Sequence, residues 1–261
     1  MNYTTKYNLH THSFYCGHGS GEIKEYVEFA KSLNLEILGF SEHLPFENDK
    51  YFSSTRMKYV DRKNYEKDCR SFSQDTEIKV LVGYECDYLE SEHAYFEKVK
   101  SEVDYLISGT HFLTKNGRTI SPFTAKLDLQ DMKQYQDKVI TAIDTGLFSF
   151  IAHPDLYLFG STWTDESAII ASNIINAAIK QNIPIEINGK GTTRIVNGIW
   201  AYPRKEFWSL AVEMGARIVT NTDAHEVEAL GTCANNLVPF IKEMGAKITP
   251  CSFDDKLIFK N

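Results

Sequence analysis

The chain has 261 residues, enough for one large α/β domain such as a barrel, spanning residues 1–261 without division. Hydrophobic residues make up 43% and aromatics 13%, which supports a sizeable core and excludes a disordered or fibrous chain. The formal net charge of -7, spread along the chain, disfavours nucleic acid as the main partner, because a phosphate backbone seeks a basic face.

Along the chain, strand-like apolar runs alternate with helix-like stretches. Strands are expected at 6–12, 36–41, 79–85, 105–111, 148–153, 183–188 and 217–222. Amphipathic stretches at 22–33, 66–72, 92–103, 127–145, 166–181 and 203–214 predict helices between them. Seven β and α units of this length point to a parallel sheet closed into a distorted (β/α)7 barrel. An open doubly wound sheet is the weaker alternative, since no glycine-rich phosphate loop follows any strand. Two segments depart from the alternation. Residues 44–60 read as a long loop, and 114–121, around Asn116-Gly117, as a turn or short hairpin. The tail from Ile248 to Asn261 reads as a final strand or a contact segment.

The five cysteines, Cys16, Cys69, Cys86, Cys233 and Cys251, include no C-x-x-C pair and read as free thiols in a reducing compartment. The start, MNYTTKYNLHTH, lacks an apolar signal region, and no run of 18 apolar residues occurs, so a cytoplasmic chain without a membrane span is expected.

Histidines stand at or just beyond the expected strand ends: His10, His12, His43, His111 and His153. Glu85 ends another strand, while Asp223 and His225 follow the last. In a parallel barrel these ends meet at one rim, where such folds build their sites. Imidazole and carboxylate suit zinc, manganese or iron, and this many groups exceed the needs of one ion. His18 lies in the loop after His12, with Cys16 beside it; a partly buried thiol is the simpler reading of Cys16, and core packing of Cys86. His93 falls in a helical stretch and reads as a surface residue.

The segments HTHSFYCGHGSGE, SEH (41–43), GYECDY (83–88), GTHF (109–112), AHPDL (152–156) and NTDAH (221–225) resemble the PHP (polymerase and histidinol phosphatase) superfamily, in its order and over nearly the whole chain. They look most like its stand-alone histidinol-phosphate phosphatases. The resemblance implies a distorted barrel with three divalent ions (zinc, manganese or iron) at the C-terminal rim of its strands. The first would be held by His10, His12, Glu85 and Asp223, the second by Glu85, His111 and His153, and the third by His18, His43 and His225.

The implied reaction is hydrolysis of a small phosphorylated substrate, L-histidinol phosphate, to L-histidinol and phosphate. Two close ions would lower the pKa of a bridging water and supply hydroxide as nucleophile. Arg194, in EINGKGTTR, is the expected phosphate-binding cation, one position later than in similar proteins, with Lys190 as a second candidate. Asp223 is a candidate proton relay. Glu47, Phe46 and Asp155 are candidate contacts to the remainder of the substrate. The rival readings are another phosphoesterase of the superfamily (nucleotide, sugar phosphate, phosphotyrosine or exonuclease activity), an amidohydrolase-type barrel, and a non-catalytic metal-binding barrel.

Overall fold

The computed structural model describes residues 5–124 and 126–260; residues 1–4 of the amino-terminal segment and Asn261 of the tail lie outside them. All seven expected strands form, as β1 (Tyr7–Asn8), β2 (Ile37–His43), β3 (Lys79–Cys86), β4 (Tyr105–Ser108), β5 (Phe150–Ile151), β6 (Ile185–Asn188) and β7 (Ile218–Asn221). They pair in parallel and in chain order from β1 to β7. The expected helices appear as α1 (Ile23–Ser32), α2 (Arg62–Arg70), α3 (His93–Glu102), α4 (Leu129–Asp144), α5 (Asp165–Lys180) and α6 (Lys205–Glu213). A further helix, α7 (Ala229–Met244), had no counterpart among the expected ones. Gly231 and Pro239 interrupt its pattern, and proline removes a helical hydrogen bond.

The sheet is a nearly closed barrel. Between β7 and β1 a continuous ladder is replaced by one parallel bridge, Thr11 to Ala224, and by side chains. Leu9 N donates to Asn221 Oδ1 at 2.7 Å, and Thr222 N to Asn8 Oδ1 at 2.8 Å. These asparagine side chains satisfy backbone groups that the missing ladder would leave unpaired inside the core.

Strands covered on both faces are apolar on both. The outer layer joins the strands to the helices through residues such as Tyr26, Phe40, Tyr84, Ile174 and Trp208. Inside the barrel a second cluster, with Leu9, Leu81, Tyr105, Ile107, Phe150 and Val219, fills the end near the strand starts. Tyr105 runs through it and donates to Leu9 O at 2.8 Å and Phe40 O at 3.0 Å. A Cβ on Gly83 would stand 2.5 Å from its ring, so a larger residue there would displace the tyrosine.

The tail folds as a hairpin, Cys251–Phe253 against Leu257–Phe259, and packs on this inner cluster. Apolar side chains thus close one end of the barrel, and polar side chains collect at the other. Around Asn116-Gly117 the expected hairpin forms, with Leu113–Lys115 antiparallel to Arg118–Ile120. Residues 44–60 form the expected long loop, carrying only a short 3-10 turn at Glu47–Asp49 and the start of another at Tyr59–Asp61. No helix among the described residues is long and apolar enough to cross a membrane.

Candidate metal centre

Three ladders end clearly earlier than the apolar runs suggested. β1 stops at Asn8, β4 at Ser108 and β5 at Ile151, so His10, His12, His111 and His153 sit beyond the ladders of their strands. His153 (φ 32) and Asp223 (φ 51) both adopt left-handed conformations unfavourable for residues with a Cβ. Such strain persists where surrounding structure over-determines it, commonly at functional sites. At Asp223 the chain turns out of the extended conformation of β7, so strand alternation does not set how Asp223 and His225 point. The pair nevertheless faces one site, with His225 Nδ1 3.4 Å from Asp223 Oδ1.

Glu85, buried near the end of β3, is the hub. Its Oε1 lies 2.9 Å from His153 Nε2 and 3.2 Å from His111 Nε2. Its Oε2 lies 3.2 Å from His43 Nδ1, 3.3 Å from His10 Nε2 and 3.4 Å from His12 Nε2. Asp223 Oδ1 stands opposite, 3.6 Å from His10 Nε2 and 3.5 Å from His12 Nε2. His18 and His225 complete the rim, with ring centroids 4.4 Å apart. All nine residues singled out as ligands are therefore brought together. His93 is not: it opens α3, half-exposed, and its Nδ1 pairs with the Tyr88 hydroxyl at 2.9 Å.

The donor set fits divalent cations. His10 Nε2, both ring nitrogens of His12 and Nδ1 of His153 are buried without a hydrogen-bond partner. Leaving such groups unpaired is costly, and an ion would satisfy those that face the carboxylates. Potential ligand atoms converge within 4.8 Å of one another in several sets. One is His18, His43 and His225; another is His10, His12 and Glu85. Two more cut across the expected partition, joining His43 with Glu85 and His111, and His10 with His153 and Asp223.

Cys16 also approaches His12 and His225, but its thiol donates to Ser13 O at 3.2 Å and accepts from Gly19 N at 3.0 Å. Burial, with Glu42 nearby, pushes that thiol up to about 12, so it stays protonated. Cys86 is core, as expected.

Charge is arranged for the same purpose. Burial alone would favour a neutral Glu85, yet His111 and His10 beside it hold it well below the usual carboxylate range. Burial keeps His12, His43 and His225 well below the ordinary imidazole value, hence neutral and able to ligate. His111 differs: burial opposes its protonation, but Glu85 and Asp87 outweigh it and push it up to about 10.

Three carboxylates behind the ligands were not anticipated. Glu186, on β6, accepts at Oε1 from His10 Nδ1 (2.9 Å) and at Oε2 from the His153 backbone N–H (3.1 Å). Asp87 accepts from the His111 backbone N–H at 2.7 Å and lies 3.3 Å from its Nδ1. Glu42 lies 3.7 Å from His12 Nδ1 and is fixed by the Ser13 backbone and hydroxyl. Hydrogen-bonded carboxylates such as Glu186 and Asp87 set the tautomer and orientation of a ligating ring, whereas Glu42 stands too far from His12 to do so. The alternation Ile185-Glu186-Ile187-Asn188 was the available signal for Glu186, since it places two polar groups on one face of a buried strand.

A cavity of about 320 Å³ opens above the cluster, lined by His18, His43, Glu85, His111, Asp223 and His225 and by the cations Arg56, Lys190 and Arg194. Arg194 is half-buried, and its guanidinium stacks 5.0 Å over the Phe123 ring, which also lines the cavity. Arg56 comes from the loop 44–60, so that loop does reach the site; its guanidinium donates to Leu44 O at 2.6 Å and to Asp87 at 3.1 Å. Glu47, Phe46 and Asp155 do not line the cavity. Glu47 is exposed and pairs with Lys98, Phe46 is buried against Tyr95 and Phe96, and Asp155 is bound by Arg204 N and Trp208 Nε1. The rest of the cavity wall is Thr55, Asp87, Phe112, Ser121, Phe123 and Thr124.

Comparison with known proteins agrees with this geometry. A probable histidinol-phosphatase of Deinococcus radiodurans is 28% identical over 247 residues, covering 91% of this chain and 93% of its own. A probable phosphatase of Clostridium acetobutylicum is 25% identical over 224 residues, covering 84% and 78%. Among solved structures, the putative histidinol phosphatase of Listeria monocytogenes superposes with a TM-score of 0.74 at 19% identity, covering 86% of this chain and 97% of that one. The histidinol phosphate phosphatase of Lactococcus lactis, complexed with zinc, L-histidinol and phosphate, gives 0.72 at 17% identity, covering 97% and 99%. The PHP domain model matches residues 8–190, which includes six of the eight rim histidine and aspartate positions and Glu85. The chain belongs to the PHP domain family.

Proposed function

We propose that this chain is a metal-dependent phosphomonoester hydrolase that converts L-histidinol phosphate to L-histidinol and inorganic phosphate. The observation that carries this reading is the convergence of seven histidines, Glu85 and Asp223 at the floor of a cavity and just beneath it, with three cations in the cavity walls. The relatives from Deinococcus and Lactococcus support the substrate, since their names specify histidinol phosphate chemistry. Family membership disfavours the amidohydrolase reading, and an intact ligand set disfavours a non-catalytic barrel.

His10, His12, Glu85 and Asp223 would hold one ion, Glu85, His111 and His153 a second, and His18, His43 and His225 a third. Divalent ions bound there supply Lewis acidity and make water a nucleophile near neutral pH. The chain's own residues do the rest. Glu186 and Asp87 fix the imidazoles of His10 and His111 in register for binding. Arg194, packed over Phe123, would present its guanidinium to the phosphoryl oxygens, a match of planar donors to oxyanion. Asp223 turns Oδ1 toward the ligands and accepts from Asn188 Nδ2 at 3.3 Å through Oδ2, and it is the candidate relay for the leaving-group proton. Phe112, Phe123, Ser121 and Thr124 form the wall available to the imidazole end of the substrate.

The test is a substrate panel assayed with zinc, manganese or iron: L-histidinol phosphate, nucleotides, sugar phosphates, phosphotyrosine and a phosphodiester. The highest kcat/KM is expected for L-histidinol phosphate. A higher value for any other ester moves the assignment to that substrate.

A further inference from the structure

Lys190 opens the short 3-10 turn after β6, and among the described residues its ammonium has one carboxylate partner, the distant Asp223. Its Nζ lies 2.9 Å from Nδ1 and 2.8 Å from Nε2 of His225, and 3.8 Å from Asp223 Oδ1. Being near-equidistant from both nitrogens of one ring, it lies along neither lone pair and rests against the ring. His225 is also one of the three residues, with His18 and His43, whose nitrogens converge within 4.8 Å. An ion held by those three would stand close to a positive charge in a pocket that screens poorly, and the two would repel.

The ammonium also has somewhere else to go. Its stem is flexible, its side chain is 20% exposed, and it lines the cavity together with Arg194. An anion entering that cavity would attract it away from His225.

We propose that Lys190 competes with the ion of the His18–His43–His225 group, keeping that subsite weak until a phosphate group in the cavity draws the ammonium outward. This rests on the metal-centre reading above. Phosphate and the third ion then assist each other, and by linkage the coupling is reciprocal. The full constellation assembles preferentially when substrate is present, so Lys190 acts as a positioning residue and not as a ligand.

The experiment is equilibrium dialysis of the chelated full-length chain against zinc, counting ions per chain with and without inorganic phosphate, for the unmodified protein and for Lys190→Met and Lys190→Arg. Without phosphate, the third ion should bind the unmodified protein about tenfold or more weaker than the first two. Lys190→Met should tighten it by about tenfold, while Lys190→Arg, which keeps the charge, should not. Phosphate should tighten the third ion by a larger factor in the unmodified protein than in Lys190→Met. An unchanged or weakened third ion in Lys190→Met, with the first two bound normally, overturns the proposal, as do equal phosphate effects in the two proteins. The first two ions report folding; should Lys190→Met lose them, Lys190→Gln is judged by the same criterion. Fewer than two ions on the unmodified protein would instead sink the metal centre itself, and the proposal with it.

Discussion

Nδ1 of His10 lies 2.9 Å from Oε1 of Glu186, and both side chains are fully sealed from solvent. The contact turns Nε2 of His10 toward Glu85 and Asp223, which is the orientation a metal ligand needs. Glu186→Gln keeps the shape but weakens the acceptor, and should lower metal affinity by roughly 10–100-fold with the fold intact. Glu186→Ala should in addition destabilise the chain by about 3 kcal/mol, because His10, Asn188 and Asn221 would lose a buried partner. Metal titration and chemical denaturation separate the two effects. An unaltered zinc affinity in Glu186→Gln would remove Glu186 from the centre.

Gly109 lies directly against the hub. A Cβ there would collide with Oε1 of Glu85 and come within 2.6 Å of Cε1 of His111. Gly109→Ala should cost about 1–3 kcal/mol of stability and displace both ligands. Metal content should fall while the circular dichroism spectrum of the fold persists. Full metal loading in that variant would show that Glu85 and His111 do not need this approach.

Arg194 is assigned to the phosphoryl group and not to the metals. Arg194→Met should reduce turnover by roughly 10²–10³-fold while metal content stays unchanged. An unchanged rate takes Arg194 out of the site and leaves Arg56 and Lys190 as the cations of the cavity.

Proton release should accompany metal uptake. In the chelated protein His111 is pushed up to about 10 by Glu85 and Asp87, against its burial, so it carries a proton at neutral pH. Its folded pKa exceeds the unfolded value, so the stability it contributes is fully present below about 6.5 and is lost as pH rises through about 10. An ion binding at Nε2 must expel that proton, so affinity should rise with pH across this window. Asp87→Asn removes one of the two carboxylates and should flatten the pH dependence. Calorimetry in buffers of different ionisation enthalpy measures the protons released; equal release by both proteins would contradict the assignment.

The legible parts of this structure were those with a strong local signal. Parallel strands buried on both faces, such as Leu81–Val82 in β3, read as apolar runs, and a polar residue at their end, such as Glu85, stands out. Positions that depend on long-range pairing were not visible. Arg56 and Asp87 are 31 residues apart, and only the closed barrel brings the loop over β3. Asp155 follows the fifth-strand histidine closely enough to seem a substrate contact, but the chain turns at His153 and sends it inward to Trp208. The ligand set was expected as a set; its subdivision among ions follows from the family resemblance, and the side chains of His43 and His10 also reach across it.

The central claim is that the cluster around Glu85 hydrolyses a phosphate monoester by means of bound metal. The most direct measurement is release of inorganic phosphate from L-histidinol phosphate by the purified protein, before chelation, after it, and after divalent ions are restored. The account predicts turnover that chelation abolishes and zinc, manganese or iron brings back. Phosphate release that survives complete removal of metal, or none with any of the three ions, would contradict it.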